Sequence, residues 1–467
     1  MYKKADQVLS QLPPQHHNEL STVIREEFLK SERTIVVFDD DPTGTQTCHD
    51  VVVLTTWSVA LIAEELEKKP AILFILTNSR SLSESMAVEL TAEVGRNVKD
   101  AIRLTGRQIV AISRSDSTLR GHFPAEVRAL STALSMDDAV WVLIPAFIEG
   151  GRLTIDDIHY IVEGGELIPV ADTPFAQDKS FGYRHSNVRE WIEEKTHGLV
   201  KASEVVSLSL EQIRRDGSQY VSTRLSECKP GDMVLVNAVS YKDLEVVAIG
   251  LQAAETSGQK FLFRSSASFV PIRAGILPGS LFTPHKSDLQ SRNGSLIIVG
   301  SYVPKTTSQL NHLLKNHEHI ALEMVVSEIL SEKGLHASTF SQQIDRLLAD
   351  GRDVVLYTSR ELQPGSDAEE SLRINNAVSN FLVKVVRQLS VRPSFIIAKG
   401  GITSSDLASK ALLSEKALIL GQAIPGVPVW KLDVKAKFSK ILYIVFPGNV
   451  GGESALSDVW YRFKYKV

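Results

Sequence analysis

The sequence predicts an α/β protein of two domains, each a mostly parallel sheet flanked by helices, with an active site in the interdomain cleft. Three observations carry this expectation. Short apolar runs recur along the chain, each followed by a longer stretch of helical periodicity. The runs are continuous in Val, Ile and Leu, the pattern of strands covered on both faces. A stretch rich in Pro, Gly, Ser and charge at 271–294 divides them into two series and reads as a linker. In the first series, strands are expected at 34–39, 51–54, 71–77, 108–113, 139–145, 233–237 and 260–264. Parallel neighbours need crossovers, and helical periodicity at 83–105 and 125–133 supplies them. The second series places strands at 296–300, 320–326, 353–358, 395–398, 427–432 and 441–446, with helices at 375–389 and 405–413. The domains are therefore read as 1–275 and 290–467.

Composition narrows the function classes. The chain has 467 residues, which at roughly 150 per domain allows two or three domains. Lys plus Arg is 51 against 55 Asp plus Glu, a net charge of −4, so bulk electrostatics make no case for nucleic acid or an anionic membrane. Two cysteines, Cys48 and Cys228, are too few for a disulfide framework and suit a reducing compartment. The longest apolar run, 139–148, contains Pro145 and is half a spanning helix. The first twenty residues lack the apolar core of a signal peptide. A cytoplasmic protein acting on small molecules is expected, with no nucleic-acid or membrane partner; a homo-oligomer is compatible with the sequence. The histidines, among them His16, His17, His312, His317 and His319, follow no metal-ligand spacing, and no metal ligands are assigned.

In open α/β sheets ligands bind beyond the carboxyl ends of strands, and here those positions are loaded. IVVFDDDPTGTQT places Asp39, Asp40, Asp41, Thr43 and Gly44 directly after a strand. Adjacent carboxylates repel, and they suit Mg²⁺, a hydroxyl proton or a polyol; the alternative is an Asp-Pro turn with capping carboxylates. ILTNSRS adds Thr77, Asn78, Ser79 and Arg80, a site or a capped βα loop. ISRSDSTLRGHFPAE offers Arg114, Asp116, Ser117, Thr118, Arg120, Gly121 and His122. Two Arg flanking an Asp make a receptor for a carboxylate ligand, with an internal Asp116–Arg120 ion pair as the alternative. IPAFIEGGR adds Glu149, Gly150, Gly151 and Arg152, and the polar, aromatic stretch 173–196 is expected to form a lid or cleft wall.

The second domain differs in kind. VGSYVPKTTSQL sets Gly300, Ser301, Lys305, Thr306 and Gln309 between strand and helix; it lacks the second glycine of a P-loop. IIAKGGITSSD supplies Lys399, Gly400, Gly401, Thr403, Ser404 and Asp406, and FPGNVGGE supplies Gly448, Asn449, Gly451 and Gly452. One such loop is a helix cap in most proteins. Three at strand ends favour a nucleotide.

Taken together, DDDPTG at 39–44, TNSR at 77–80, SDSTLRGH at 115–122, GSYVPKTTSQ at 300–309, KGGITSSD at 399–406, GQAIPGVPVW at 421–430 and FPGNVGG at 446–452 resemble the four-carbon acid sugar kinase family, formerly a domain of unknown function. The resemblance runs nearly end to end. It implies an ATP-dependent kinase acting on acids such as threonate, erythronate or 3-oxo-tetronate, with Mg²⁺ on the ATP phosphates. It puts Asp40, Asp41, Thr43, Gly44, Asp116, Ser117, Thr118, Arg120 and Gly121 on the sugar-acid side, and Ser301, Thr306, Gln309, Gly400, Gly401, Thr403, Gly448 and Asn449 on the nucleotide side. Their strand-end positions add Asn78, Arg80 and Arg114 to the first set and Lys399 and Gly451 to the second. Asp39, Pro42, Thr45 and His122 depart from the commoner family pattern, all on the substrate side.

The expected mechanism has Arg120, with Arg114, clamping the substrate carboxylate, and Asp116, or else Asp41, taking the proton of the terminal hydroxyl. One rival is a haloacid-dehalogenase-like phosphohydrolase, since VVFDDDPT also fits a strand followed by D-x-D-x-T with Asp39 as nucleophile, Asp41 as acid/base and Thr77 in a second motif. That reading leaves the second domain's glycine loops without a purpose. A non-catalytic small-molecule sensor is the other.

Overall fold

A computed structural model describes residues 2–16, 19–277, 279–301, 303–331, 335–360 and 368–466. His17 and Tyr302, both noted in the sequence, lie outside these residues. The chain forms two compact units. The first comprises residues 1–44 and 57–278, and the second residues 45–56 and 279–467.

The first unit is built on a seven-stranded parallel sheet in the order Val206–Leu208, Met233–Val236, Val140–Ile144, Phe261–Ser265, Ile109–Arg114, Thr34–Asp39 and Ile72–Leu76. Strands Thr34–Asp39, Ile72–Leu76, Val140–Ile144 and Phe261–Ser265 are buried along their whole length, which is why they read as unbroken apolar runs. Helix Glu84–Thr105 returns the chain between strands; Ser83 caps it by accepting from the Met86 amide, and Gly106 ends it in a left-handed conformation. A second, antiparallel sheet of Lys3–Lys4, Glu166–Pro169, Ile158–Glu163 and Arg152–Ile155 stands apart from it. Ile158–Glu163 alternates buried and half-buried residues, and the sheet has a small core cluster around Leu153, Ile155 and Leu167.

The second unit has eight strands in the order Val51–Leu54, Lys416–Ile424, Val427–Leu432, Leu442–Phe446, Ile396–Lys399, Leu296–Val299, Val354–Thr358 and Ile320–Met324. The first three pairings are antiparallel and the rest parallel. Its core gathers Ile297, Val299, Phe395, Ile444, Phe446, Trp460 and Phe463. One feature departs from the division of the chain read in its sequence. Val51–Leu54, placed there in the first domain, pairs with Lys416–Ile419 and completes the second unit's sheet. The reason is pairing: a short apolar strand takes whichever edge matches its register, and a run of residues does not name its partner.

Among the described residues, no helix is long and apolar enough to cross a membrane. Cys48 and Cys228 are both buried thiols.

Candidate functional site

In the first unit, strand Thr34–Asp39 lies between Ile72–Leu76 and Ile109–Arg114. The chain leaves it to one side and returns on the other, so its carboxyl end is a topological switch point, where a crevice opens. Asp39 ends this strand, and Asp40 and Asp41 follow. Three carboxylates there require cations among them, and neighbouring strand ends supply these. Arg114 sets Nη1 3.2 Å from Asp39 Oδ1 and 3.5 Å from Asp40 Oδ1. Arg80 forks onto both Asp40 oxygens, and its Nη1 lies 3.7 Å from Asp41 Oδ2 and 3.7 Å from Asp116 Oδ1. Arg120 Nε donates to Asp116 Oδ2 at 2.8 Å and to Thr118 Oγ1 at 3.1 Å, and its Nη1 reaches Asp178 Oδ2 at 3.4 Å. The Asp116–Arg120 ion pair anticipated as an alternative is therefore present.

The turn after the strand is shaped by the same carboxylates. Asp41 Oδ1 accepts from the Thr43 amide at 2.8 Å and from the Thr43 hydroxyl, an Asx-type turn. A Cβ on Gly44 would come 2.1 Å from Asp39 Oδ2, so only glycine lets the turn pass. Asn78 adopts a left-handed conformation at φ 53°, and its side chain donates to Ser81 Oγ at 3.3 Å rather than capping the turn that follows. Ser117 and Thr118 present backbone: the Ser117 carbonyl accepts from His159 Nε2 at 2.8 Å, and that of Thr118 from the Tyr183 hydroxyl at 2.6 Å. Gly121, at φ 118°, brings the chain close past Ser115, whose hydroxyl donates to Asp40 Oδ2 at 3.1 Å.

These surroundings set the protonation states. Burial pushes the Asp39 carboxyl up to about 7 against the pull of Arg114. Burial also acts to raise Asp116, but Arg120 and Arg80, with the Thr118 hydroxyl, hold it well below the usual carboxylate range. Asp41 behaves likewise, with Arg80 and Arg114 outweighing burial. Asp39 has no exposed surface and is enclosed by Arg114 and Gly44, which speaks against its acting as a nucleophile on phosphorus.

Several residues here escaped the sequence reading. Arg264, at the end of Phe261–Ser265, donates from Nη2 to the Arg120 carbonyl at 3.2 Å, and its guanidinium lies 5.2 Å from the Phe123 ring and 5.1 Å from that of Trp191. The strand-end rule applied to that run would have found it. Phe175, 5.0 Å beneath Arg120, and Asp178 come from the polar stretch expected to be a wall.

The second unit repeats the switch-point geometry. Leu296–Val299 lies between Ile396–Lys399 and Val354–Thr358, so the loops after Val299, Lys399 and Phe446 stand side by side. The Gly300 amide donates to the Lys399 carbonyl at 3.3 Å and the Gly400 amide to that of Phe446 at 2.9 Å. Gly400, at φ 118°, and Gly451, at φ 83°, hold conformations other residues resist. A Cβ on Gly300 would come 2.3 Å from Thr403 Oγ1, and one on Gly448 3.2 Å from Ser301 Oγ. Gly401 opens helix Gly401–Asp406, the Ser301 carbonyl accepts from Arg360 at 2.7 Å, and Asn449 is exposed on its loop.

Thr306, Gln309 and Lys399 have no exposed surface and face inward. Thr306 Oγ1 donates to the Gly448 carbonyl at 3.1 Å, and Gln309 Nε2 to those of Val450 at 2.9 Å and Gly452 at 2.8 Å. Lys399 Nζ donates to the Pro447 carbonyl at 2.5 Å and lies 4.0 Å over the Phe446 ring. Burial, with Lys305 adding repulsion, pushes the Lys399 amine down to about 6. With these carbonyls held from inside, the amides of residues 448–453 donate to no protein acceptor among the described residues. Successive open backbone amides are groups that suit an anion.

Comparison with known proteins agrees with this division. Residues 35–272 match the family described as a sugar-binding N-terminal domain, and residues 296–456 the one described as a nucleotide-binding C-terminal domain. No curated protein matches the chain. A Haemophilus influenzae protein of the DUF1537 family is 18% identical, with a TM-score of 0.59 over 92% of this chain and 100% of that one. A Salmonella typhimurium LT2 protein, named as a candidate tRNA synthase, is 15% identical with a TM-score of 0.65 over 93% of this chain and 99% of its own. At these identities the likeness is one of fold. The family matches, which span both halves in order, carry more: the chain belongs to the four-carbon acid sugar kinase family, the former DUF1537.

Proposed function

We propose that the protein is an ATP-dependent kinase that phosphorylates the terminal hydroxyl of a four-carbon sugar acid of the threonate, erythronate or 3-oxo-tetronate type. The observation that carries this reading is the pairing, on one chain, of a carboxylate–guanidinium cluster at the switch point of a sugar-binding domain with converging glycine loops at that of a nucleotide-binding domain.

Phosphoryl transfer asks a protein mainly to position groups and neutralise charge. The substrate's terminal oxygen attacks the γ-phosphorus, the bond to the β-bridging oxygen breaks, and ADP leaves. Asp116, held ionised between Arg120 and Arg80, orients the hydroxyl and takes its proton as the bond forms. A carboxylate held this low is a weak base toward a free alcohol, and it suffices where the proton moves late in a loose transition state. Asp41 stands second for the role, with Thr43 fixing its orientation. Asp40 and Arg114 hold the strand end in place. In the second unit the amides after Phe446, and those around Gly400, receive the phosphates. Mg²⁺ would arrive on ATP, whose oxygens supply most of its ligands.

The test is ADP release with ATP, Mg²⁺ and each of D- and L-threonate, D- and L-erythronate and 3-oxo-tetronate. Turnover with at least one acid is expected. Binding of an acid without ADP release would leave the sensor reading standing instead.

A further inference from the structure

A substrate carboxylate needs a cation that the protein does not already neutralise. Five guanidiniums stand around the first-unit cluster: Arg80, Arg114, Arg120, Arg152 and Arg264. Arg80, Arg114 and Arg120 are each paired with two or more aspartates. Arg114 is also 4% exposed, which leaves an incoming ligand no approach to it. Arg264 has no carboxylate partner among the described residues, but two aromatic rings cover its guanidinium and Nη2 is spent on the Arg120 carbonyl.

Arg152 differs from all of these. Among the described residues no carboxylate pairs with it; Nη1 donates to the Gly150 carbonyl, and Nε is buried without an acceptor. Its placement follows from the small sheet. In strand Arg152–Ile155 the side chains of Arg152 and Thr154 share a face, because strand residues two apart do. Thr154 Oγ1 lies 3.0 Å from His159 Nδ1 on the partner strand, and His159 Nε2 donates to the Ser117 carbonyl at 2.8 Å. The face carrying Arg152 is therefore the one that meets the loop of Asp116, Ser117 and Thr118. A Cβ on Gly150 would come 2.4 Å from the Phe147 ring and 2.8 Å from Arg152 Nη1, so the glycine leaves room for both side chains. An unpaired, half-buried guanidinium is costly in the free protein, and an anion relieves that cost on binding.

We propose that Arg152 is the residue that binds the carboxylate of the acid substrate, in place of Arg120 and Arg114. This rests on the kinase reading and sharpens it: the small antiparallel sheet selects acids over neutral polyols. Arg120, tied to Asp116 and Asp178, then holds the proton acceptor in place. Asp116 and Glu163 are the carboxylates whose charges act on Arg152, and neither is close enough to pair with it.

The experiment compares wild type, Arg152→Gln and Arg152→Lys by ADP release and by calorimetric binding of the threonates and erythronates, with threitol and erythritol as uncharged acceptors. For the acid that wild type uses, Arg152→Gln is expected to raise KM and Kd roughly ten- to hundredfold, the worth of a charge-assisted hydrogen bond. Its kcat should stay within a few-fold, and ADP release with the polyols, which carry no carboxylate for Arg152 to bind, should match that of wild type. Arg152→Lys, which keeps the charge without the fork, should fall between. Should Arg152→Gln fail to fold, the Lys variant carries the test, and a KM equal to wild type overturns the proposal. Unchanged KM in Arg152→Gln overturns it too, as does a fall in kcat alone, which would place the charge on the transferring phosphoryl group. A wild type that binds none of the acids and releases no ADP with any of them would overturn the kinase reading and this assignment with it.

Discussion

At the scale of single residues, the site is a matter of which charges are already spent. Asp116 sits between two guanidiniums and is ionised at any working pH, so its loss should be felt in turnover rather than in a pH profile. Asp116→Asn is expected to lower kcat by at least about two orders of magnitude, the usual weight of a positioned base; steady-state ADP release checks it, and near-normal turnover would remove Asp116 from the role. Gln309 acts at one remove, through the carbonyls of Val450 and Gly452. Gln309→Glu cannot donate to them, and leaving buried acceptors unpaired costs about 1–3 kcal/mol. ATP binding should weaken by roughly ten- to hundredfold, with adenosine binding unaffected, in a calorimetric comparison. Lys399 predicts a pH dependence of stability. Its amine is lowered from 10.5 to about 6 in the folded chain, so between those values the unfolded state holds the extra proton and stability rises with pH. Melting curves from pH 6 to 9 should show wild type gaining on Lys399→Met as pH rises. Parallel curves would show that Lys399 stays charged. The sequence displayed these residues near strand ends; that Thr306 and Gln309 lie within helix Pro304–Asn316 and, with Lys399, face inward to hold a loop, with no surface left for a ligand, depended on packing it could not display.

At the scale of elements, the buried parallel strands were legible almost to the residue. The runs expected at 34–39 and 51–54 are strands with those bounds, and 71–77 and 108–113 shift by a residue or so at their ends. A strand covered on both faces must be apolar throughout, and that signal is strong in a single sequence. The antiparallel strands Arg152–Ile155, Ile158–Glu163 and Glu166–Pro169 escaped, as did Lys416–Ile424. Ile158–Glu163 and Lys416–Ile424 interleave buried residues with more exposed ones, Arg152–Ile155 and Glu166–Pro169 are only four residues long, and turns of Asp and Gly separate the first three, so the pattern resembles loop. The loss mattered, since Arg152 reaches the cluster only through that small sheet. The turn Asp41–Gly44 allows a direct test of how tightly an element is specified. Gly44→Ala sets a methyl against the Asp39 carboxylate, and overpacking of this kind costs about 1–3 kcal/mol. A lower melting temperature together with weakened acid binding is expected; an unperturbed variant would show that the turn can yield.

At the scale of the whole molecule, the division of the chain is not a single cut. Val51–Leu54 hydrogen-bonds to Lys416–Ile419 as an edge of the second unit's sheet, and Trp430 Nε1 donates to Thr45 Oγ1 at 3.1 Å. A fragment of residues 279–467 alone therefore exposes the unpaired edge of Lys416–Ile424, a site for aggregation. It should be poorly soluble, and fusing residues 45–56 to it through a flexible linker should restore a cooperative melting transition. A fragment that melts cooperatively without them would show the strand to be dispensable. By itself the sequence determined the fold class, the two sheets' buried strands and the polar clusters at their ends, because each of these is written in local pattern: apolar runs, glycines and strand-terminal charge. Tertiary structure alone decided which edge Val51–Leu54 joins, which arginines are already paired with aspartate, and that Arg152 has no carboxylate partner among the described residues. Those are questions of which distant groups meet, and distance in space has no local signature along the chain.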